Sequence, residues 1–149
     1  MKTILPRIAS MAALVVLAAG CDNVQMNNVS SEDEDKIETI AEDFADSYFN
    51  WQYRKAADMA TPESGKWLRM AATQITEADV KAFKEQAENV GIDLNSIDQT
   101  SDTTAVAEYQ LENLMVKDLL SESPRLVADT TIRVNLVRRN GKWLADLSR

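Results

Sequence analysis

An α+β fold is expected for this 149-residue chain, with N-terminal helices packed on an antiparallel sheet of about four strands. Three observations carry that expectation. Apolar residues between Ile37 and Ala87 recur at steps of three and four, the spacing of one helix face. Beyond Gly91 the period falls to two, as in half-buried strands. Near the C-terminus, Asn140-Gly141 has the composition of a two-residue type I′ hairpin turn.

A leader precedes these elements. Met1 to Arg7 carries Lys2 and Arg7 and no acid, which is the positive start of a secretory signal. Ile8 to Gly20 is uncharged but shorter than the ~20 apolar residues a spanning helix requires. It ends on Leu17-Ala18-Ala19-Gly20-Cys21, which resembles the lipobox of bacterial lipoprotein precursors, with leucine one step further back than usual. That resemblance implies that residues 1–20 are a removed signal peptide and that Cys21 carries a diacylglycerol anchoring the chain to a bacterial membrane. The bland alternative is plain signal cleavage, which would leave the only cysteine as a lone thiol in an oxidising compartment. The expected location is the cell envelope, the outer membrane before the inner, with the domain in the periplasm or at the cell surface.

Composition narrows the chemistry. The formal net charge is −8, and removing the leader takes away two bases and no acid. Phosphate backbones repel such a surface, so no nucleic acid is expected. Histidine is absent, which excludes Ser–His–Asp and Cys–His catalysis and zinc sites of the usual N/S type. The four glycines stand far apart, so there is no phosphate-cradling loop. No cofactor or metal is expected.

Residues 21–31 are polar and aperiodic and read as the lipidated cysteine and a flexible tether; residues 32–149 then form one domain. Ser30 or Ser31 is the expected N-cap, with Glu32 to Asp35 complementing the first-turn dipole. The same acids resemble a surface-export signal, whereas Asp22 resembles an inner-membrane retention signal. One helical stripe runs Ile37, Ile40, Ala41, Phe44, Ala45, Tyr48, Phe49, and a second runs Tyr53, Ala56, Ala57, Met59, Ala60, with the break at Asn50-Trp51. Pro62 stops the second stripe. A helix over Glu63 to Thr73 follows. A capping-box-like Thr76 to Asp79 then opens another helix that reaches Asn89 and stops at Gly91. Ile97 is out of step with Ile92 and Leu94, which places a bulge near Asn95-Ser96. After a polar turn over Gln99 to Thr103, strands are expected over Thr104 to Val116, about Leu126 to Arg138, and Lys142 to Leu147.

Helices followed by a sheet that ends in Arg139-Asn140-Gly141-Lys142-Trp143-Leu144-Ala145-Asp146 resemble the nuclear transport factor 2-like (cystatin-like) superfamily. The stretch Tyr53 to Ser64 is similar to the second-helix segment of its DUF4878-type bacterial lipoproteins. The resemblance implies a curved sheet wrapped around a long first helix, a cone open at one end, and, as in many members, a homodimer through the sheet. It implies no particular activity.

If the cone holds a pocket, Tyr48, Trp51, Trp67 and Tyr109 are its candidate lining, although aromatic side chains fill cores generally. Trp143 is expected to pack against the helices. Asp46, Asp58, Tyr48 and Tyr109 are residue types that ketosteroid isomerase uses, but Asp46 and Tyr48 stand two apart and share no helix face. Catalysis is therefore not expected. Residues 31–60 hold nine acids against Lys36, Arg54 and Lys55, whereas the last strands are basic. Those charges complement one another within the domain, or Arg133, Arg138, Arg139 and Lys142 form a docking strip for an acidic partner. The expected role is a membrane-anchored, non-enzymatic module for protein interaction or assembly with an unidentified envelope protein. The alternative is a carrier or sensor of a small apolar ligand.

Overall fold

The computed structural model describes residues 24–86, 89–118 and 123–148; the leader and Cys21 lie outside them. The elements run β1 (Gln25–Asn27), α1 (Glu34–Phe49), α2 (Tyr53–Ala57), α3 (Pro62–Thr73), α4 (Glu77–Lys84), β2 (Gly91–Ser101), β3 (Thr104–Val116), β4 (Arg125–Arg139) and β5 (Lys142–Asp146). The strands form one sheet in the order β1-β2-β3-β4-β5, antiparallel throughout except that β1 lies parallel to β2.

Strand β1 corrects the tether. Gln25 pairs with Ser96 and Asn27 with Asp98. Beyond β1, the Ser30 amide donates to the Gln99 side chain at 3.2 Å, and the Asn28 amide group donates to Asp98 at 3.3 Å. A polar, Asn-rich sequence carries no alternation to announce such a strand; it pairs because β2 offers it an edge. The sheet thus has five strands rather than four.

The N-cap of α1 is Asp33 and not Ser30 or Ser31. The Ser30 carbonyl accepts from the amides of Asp33 and Glu34, while its hydroxyl donates to the Asp33 carboxylate. Arg138 reaches that carboxylate from the sheet at 3.2 Å, so Asp33 links two layers and makes no side-chain cap bond. At the other end Asn50 closes the helix and Trp51 turns the chain with φ 60°, a left-handed conformation costly for a bulky residue. Two contacts offset the cost: the Trp51 Nε1 donates to the Met115 carbonyl at 3.0 Å, and its ring lies 5.0 Å from Phe83.

Thr61 caps α3 with Pro62 in the first turn, and the Thr76–Asp79 capping box is complete on α4, with Asp in the place usual for Glu or Gln. Helix α4 ends at Lys84, short of the expected Asn89. Gly91 is no helix stop but the first residue of β2, with Glu112 Cβ 3.3 Å from where its own Cβ would lie. The bulge falls between Leu94 and Ser96 as the sequence suggested. Strand β2 runs on to Ser101, so the expected polar turn shrinks to Asp102-Thr103. Asn140 and Gly141 have φ 52° and 74°, both central residues positive as a type I′ turn requires.

The layer between α1 and the sheet is filled. Ile37, Ala41, Phe44 and Ala45 face Ile97, Ala105, Ala107, Tyr109, Leu111, Val134, Leu136 and Ala145, all buried. Tyr109 stands at the centre, its hydroxyl donating to the Ala41 carbonyl of α1 at 2.8 Å and its ring edge-on to Phe49. The opposite face of β3 and β4 is polar: Arg133 pairs with Glu108 at 2.7 Å, and Gln110 bonds Asp129 and Thr131. The free side of β5 is covered by Met59 to Thr61, which exchange two backbone bonds with Ala145.

Two further contacts fix the helices. The Asp79 carboxylate accepts from Lys117 at the end of β3 and from the amide and hydroxyl of Thr76, with both charged side chains almost fully buried. Gly65 lets α3 approach α2: a Cβ there would meet the Ala57 carbonyl oxygen at 3.0 Å and the Arg69 guanidinium at 3.2 Å. Gly65→Ala is expected to destabilise by about 1–3 kcal/mol through overpacking, read as a lower urea midpoint.

Candidate functional site: two open grooves

Among the described residues, two grooves lie at the margins of the packed layer. The first groove, about 580 Å³, runs between the C-terminal half of α1 and the bulged start of β2. Its walls are Glu42 and Asp46 from α1, Ile92, Asp93, Leu94 and Asn95 from β2, and Val24 just before β1, with Tyr109 at the base. Glu42 and Asp46 stand one turn apart on α1, and the Asn50 amide group donates to both the carbonyl and carboxylate of Asp46. Burial pushes the Tyr109 phenol far above its ordinary value, and the Glu42 charge pushes it further. Its proton stays on oxygen and is committed to Ala41, so it is poorly placed to serve as an acid in the groove.

The second groove, about 590 Å³, lies at the other end, between α2, the start of α3 and the β4–β5 hairpin. Ala57, Ala60, Pro62 and Leu144 form its apolar floor; Arg69, Arg139, Asn140, Lys142 and Asp58 stand around it. Arg69 pairs with Asp58 at 3.2 Å and Arg139 with Glu63 at 3.0 Å, both on exposed side chains. Exposed pairs of this kind exchange partners cheaply, each contributing about 0–1 kcal/mol. Hydrogen bonds from its own amide and from Arg139 hold the Glu63 carboxyl below the usual range.

The four expected lining aromatics do not share a cavity. Tyr109 forms the base of the first groove. Tyr48 stacks on Phe44 at 5.4 Å and packs against Phe49 and Tyr53. Trp51 is bound to Met115 and Phe83. Trp67 stands 40% exposed on α3. Trp143 is buried, and its indole nitrogen has no hydrogen-bond partner among the described residues.

The basic strip is also divided. Arg133 is on the polar sheet face with Glu108, and Arg138 turns to Asp33; only Arg139 and Lys142 meet, on the second groove. The helix–sheet pairs Arg138–Asp33 and Arg139–Glu63 answer the uneven charge distribution from within the domain. Sequence reasoning missed Glu42 and Asp93 as groove residues. The only sign of them was the bulge at Asn95-Ser96, since the pairing of α1 with β2 is a tertiary fact.

No family model matches the sequence, and no curated protein matches it. Among solved structures, an NTF-2 like protein of unknown function from Shewanella oneidensis MR-1 is 9% identical, the likeness covering 75% of this chain and 93% of that one at a TM-score of 0.47. Aln2 from a Streptomyces species is 14% identical, over 78% of this chain and 88% of that one, at a TM-score of 0.48. Likenesses of this depth carry no argument about what the chain does. The class is defined by its own architecture: an α+β domain with its helices packed on one face of a predominantly antiparallel sheet.

Proposed function

We propose that this chain is a lipid-anchored envelope protein whose nuclear transport factor 2-like domain is a non-enzymatic binding module for another envelope protein. The observation that carries the reading is the filled layer beneath α1. Where a carrier of apolar molecules needs an enclosed cavity, Phe44, Tyr109, Leu111 and Leu136 occupy the space. Binding is left to open surfaces, and the second groove offers an apolar floor with Arg69, Arg139 and Lys142 beside it, suited to an acidic partner. The lipobox-like Leu17 to Cys21 supports the anchor, and the two acyl chains of the diacylglycerol it implies suffice to hold a protein on a membrane.

Two experiments test the parts separately. Cys21→Ser is expected to move the protein from the membrane fraction to the soluble fraction, with intact mass losing the diacylglycerol. Recovery of the variant in membranes unchanged would sink the anchor. Cross-linking in intact cells through a photoreactive residue at Lys142 is expected to give one discrete higher-mass species, lost when Arg69 and Arg139 are both replaced by Glu. A protein that cross-links to nothing counts against the module.

A further inference from the structure

Helix α3 turns an apolar ridge to the outside. Its inner face is Ser64, Gly65, Leu68 and Ala71, all buried. On the other side Trp67 and Met70 stand one turn apart, 40% and 49% exposed. A single open apolar side chain needs no explanation, but a tryptophan and a methionine side by side form a patch. The patch is continuous with the second groove. Pro62, Lys66 and Arg69 follow one another at helical steps of four and three and so make the neighbouring row on α3. Pro62 and Arg69 both line that groove. A path across the helix from the groove therefore passes Lys66 and reaches Met70, then Trp67.

The charge on this surface opposes that of the whole chain, which is −8. Lys66, Arg69, Arg139 and Lys142 stand there against Asp58 and Glu63. The two acids are already paired, with Arg69 and Arg139, whereas Lys66 and Lys142 make no ion pair among the described residues. Resting on the second groove as the partner site, we propose that Trp67 and Met70 are its anchor. An acidic segment of another envelope protein lays an apolar side chain along this ridge and sets its carboxylates among Lys66, Arg69 and Arg139. Tryptophan and arginine are the residue types that most often dominate the energy of protein interfaces. The exposed Arg69 and Arg139 pairs give way cheaply to an incoming carboxylate. A membrane surface also attracts tryptophan beside lysine, but a convex ridge with a concave groove next to it suits a protein segment, which fills both.

The test uses the full chain in intact cells, with a photoreactive residue at Met70, at Lys142 or, on the polar sheet face, at Arg133. Met70 and Lys142 are expected to give an adduct of the same mass, joined through an acidic peptide that carries an apolar side chain. Arg133 is expected not to give it. Trp67→Ala is expected to leave the thermal midpoint unchanged and to cut the Lys142 adduct about tenfold, as loss of an interface anchor does. Trp67→Phe, which keeps a ring on the ridge, is expected to retain most of the adduct, and Lys66→Glu to lose it severalfold. A Lys142 adduct that Met70 does not share and that Trp67→Ala leaves intact overturns the anchor while the groove reading stands. A Met70 adduct with lipid alone gives the ridge to the membrane, and a shared adduct through a basic peptide removes the acidic partner; either overturns the proposal. No adduct from Met70 or Lys142 overturns the groove reading and the anchor together.

Discussion

Replacing Asp79 by alanine is expected to cost about 3–5 kcal/mol of folding stability, because it leaves Lys117 buried without its counter-charge. Both side chains are nearly inaccessible, at 2% and 8%, and the same carboxylate completes the capping box of α4. The loss is expected as a large fall in the urea midpoint, and α4 should separate from the end of β3. Replacing both partners, Asp79→Asn with Lys117→Met, is expected to recover much of the loss, since removing a buried pair costs far less than breaking one. A single variant within 1 kcal/mol of the parent would show the pair to be solvated in solution. The pH dependence has a definite sign. Burial alone would raise the Asp79 carboxyl, but the bonds from Lys117 and Thr76 outweigh it and hold the value down. Asp146 is lowered likewise, burial being outweighed by bonds from Ser148 and Ser64. Groups depressed in the folded state stabilise it fully above their unfolded pKa, about 4, and lose that contribution as pH falls through the folded value. Parent and Asp79→Ala should therefore converge in stability on acidification below pH 4.

Tyr109→Ala is expected to cost a further large amount, about 3–5 kcal/mol as for other large aromatics truncated in cores. It should also change what the protein binds. Tyr109 lines the first groove and packs edge-on against the buried Phe49, so its removal is expected to open the groove toward Phe49. An environment-sensitive apolar dye is expected to bind this variant in buffer and not the parent. Tyr109→Phe keeps the ring and loses only the bond to Ala41, costing about 1 kcal/mol and gaining no dye binding. Equal dye binding by the parent would mean the interior is already open and would restore the carrier reading.

Much of this architecture was legible before any coordinates. The buried faces of α1 and β3, the Thr76–Asp79 box, the Asn140-Gly141 turn and the bulge after Leu94 each have a local cause that the sequence displays. What escaped has a tertiary cause. The residues Gln25 to Asn27 have no strand pattern and pair because an edge is available. Asp33 displaces Ser30 and Ser31 at the head of α1 because Arg138, more than a hundred positions away, needs its carboxylate. Asp79 reads as an exposed capping residue until Lys117 is seen closing over it. The aromatic set was identified by type, but type does not say which rings face a common space. The grooves were least visible, since each joins helix residues to strand residues that sequence spacing alone does not bring together.

The short first strand has a mechanical consequence. Because β1 runs parallel to β2 and the anchor proposed at Cys21 would attach at its leading end, a pull between that anchor and the far hairpin would load the β1–β2 bonds lengthwise. Bonds stressed in that direction share the force and must yield together, whereas a strand peeled from its end gives way one bond at a time. With the proposed anchor in place, the three paired residues of β1 would act as a shear joint, yielding together under such a pull instead of peeling one by one.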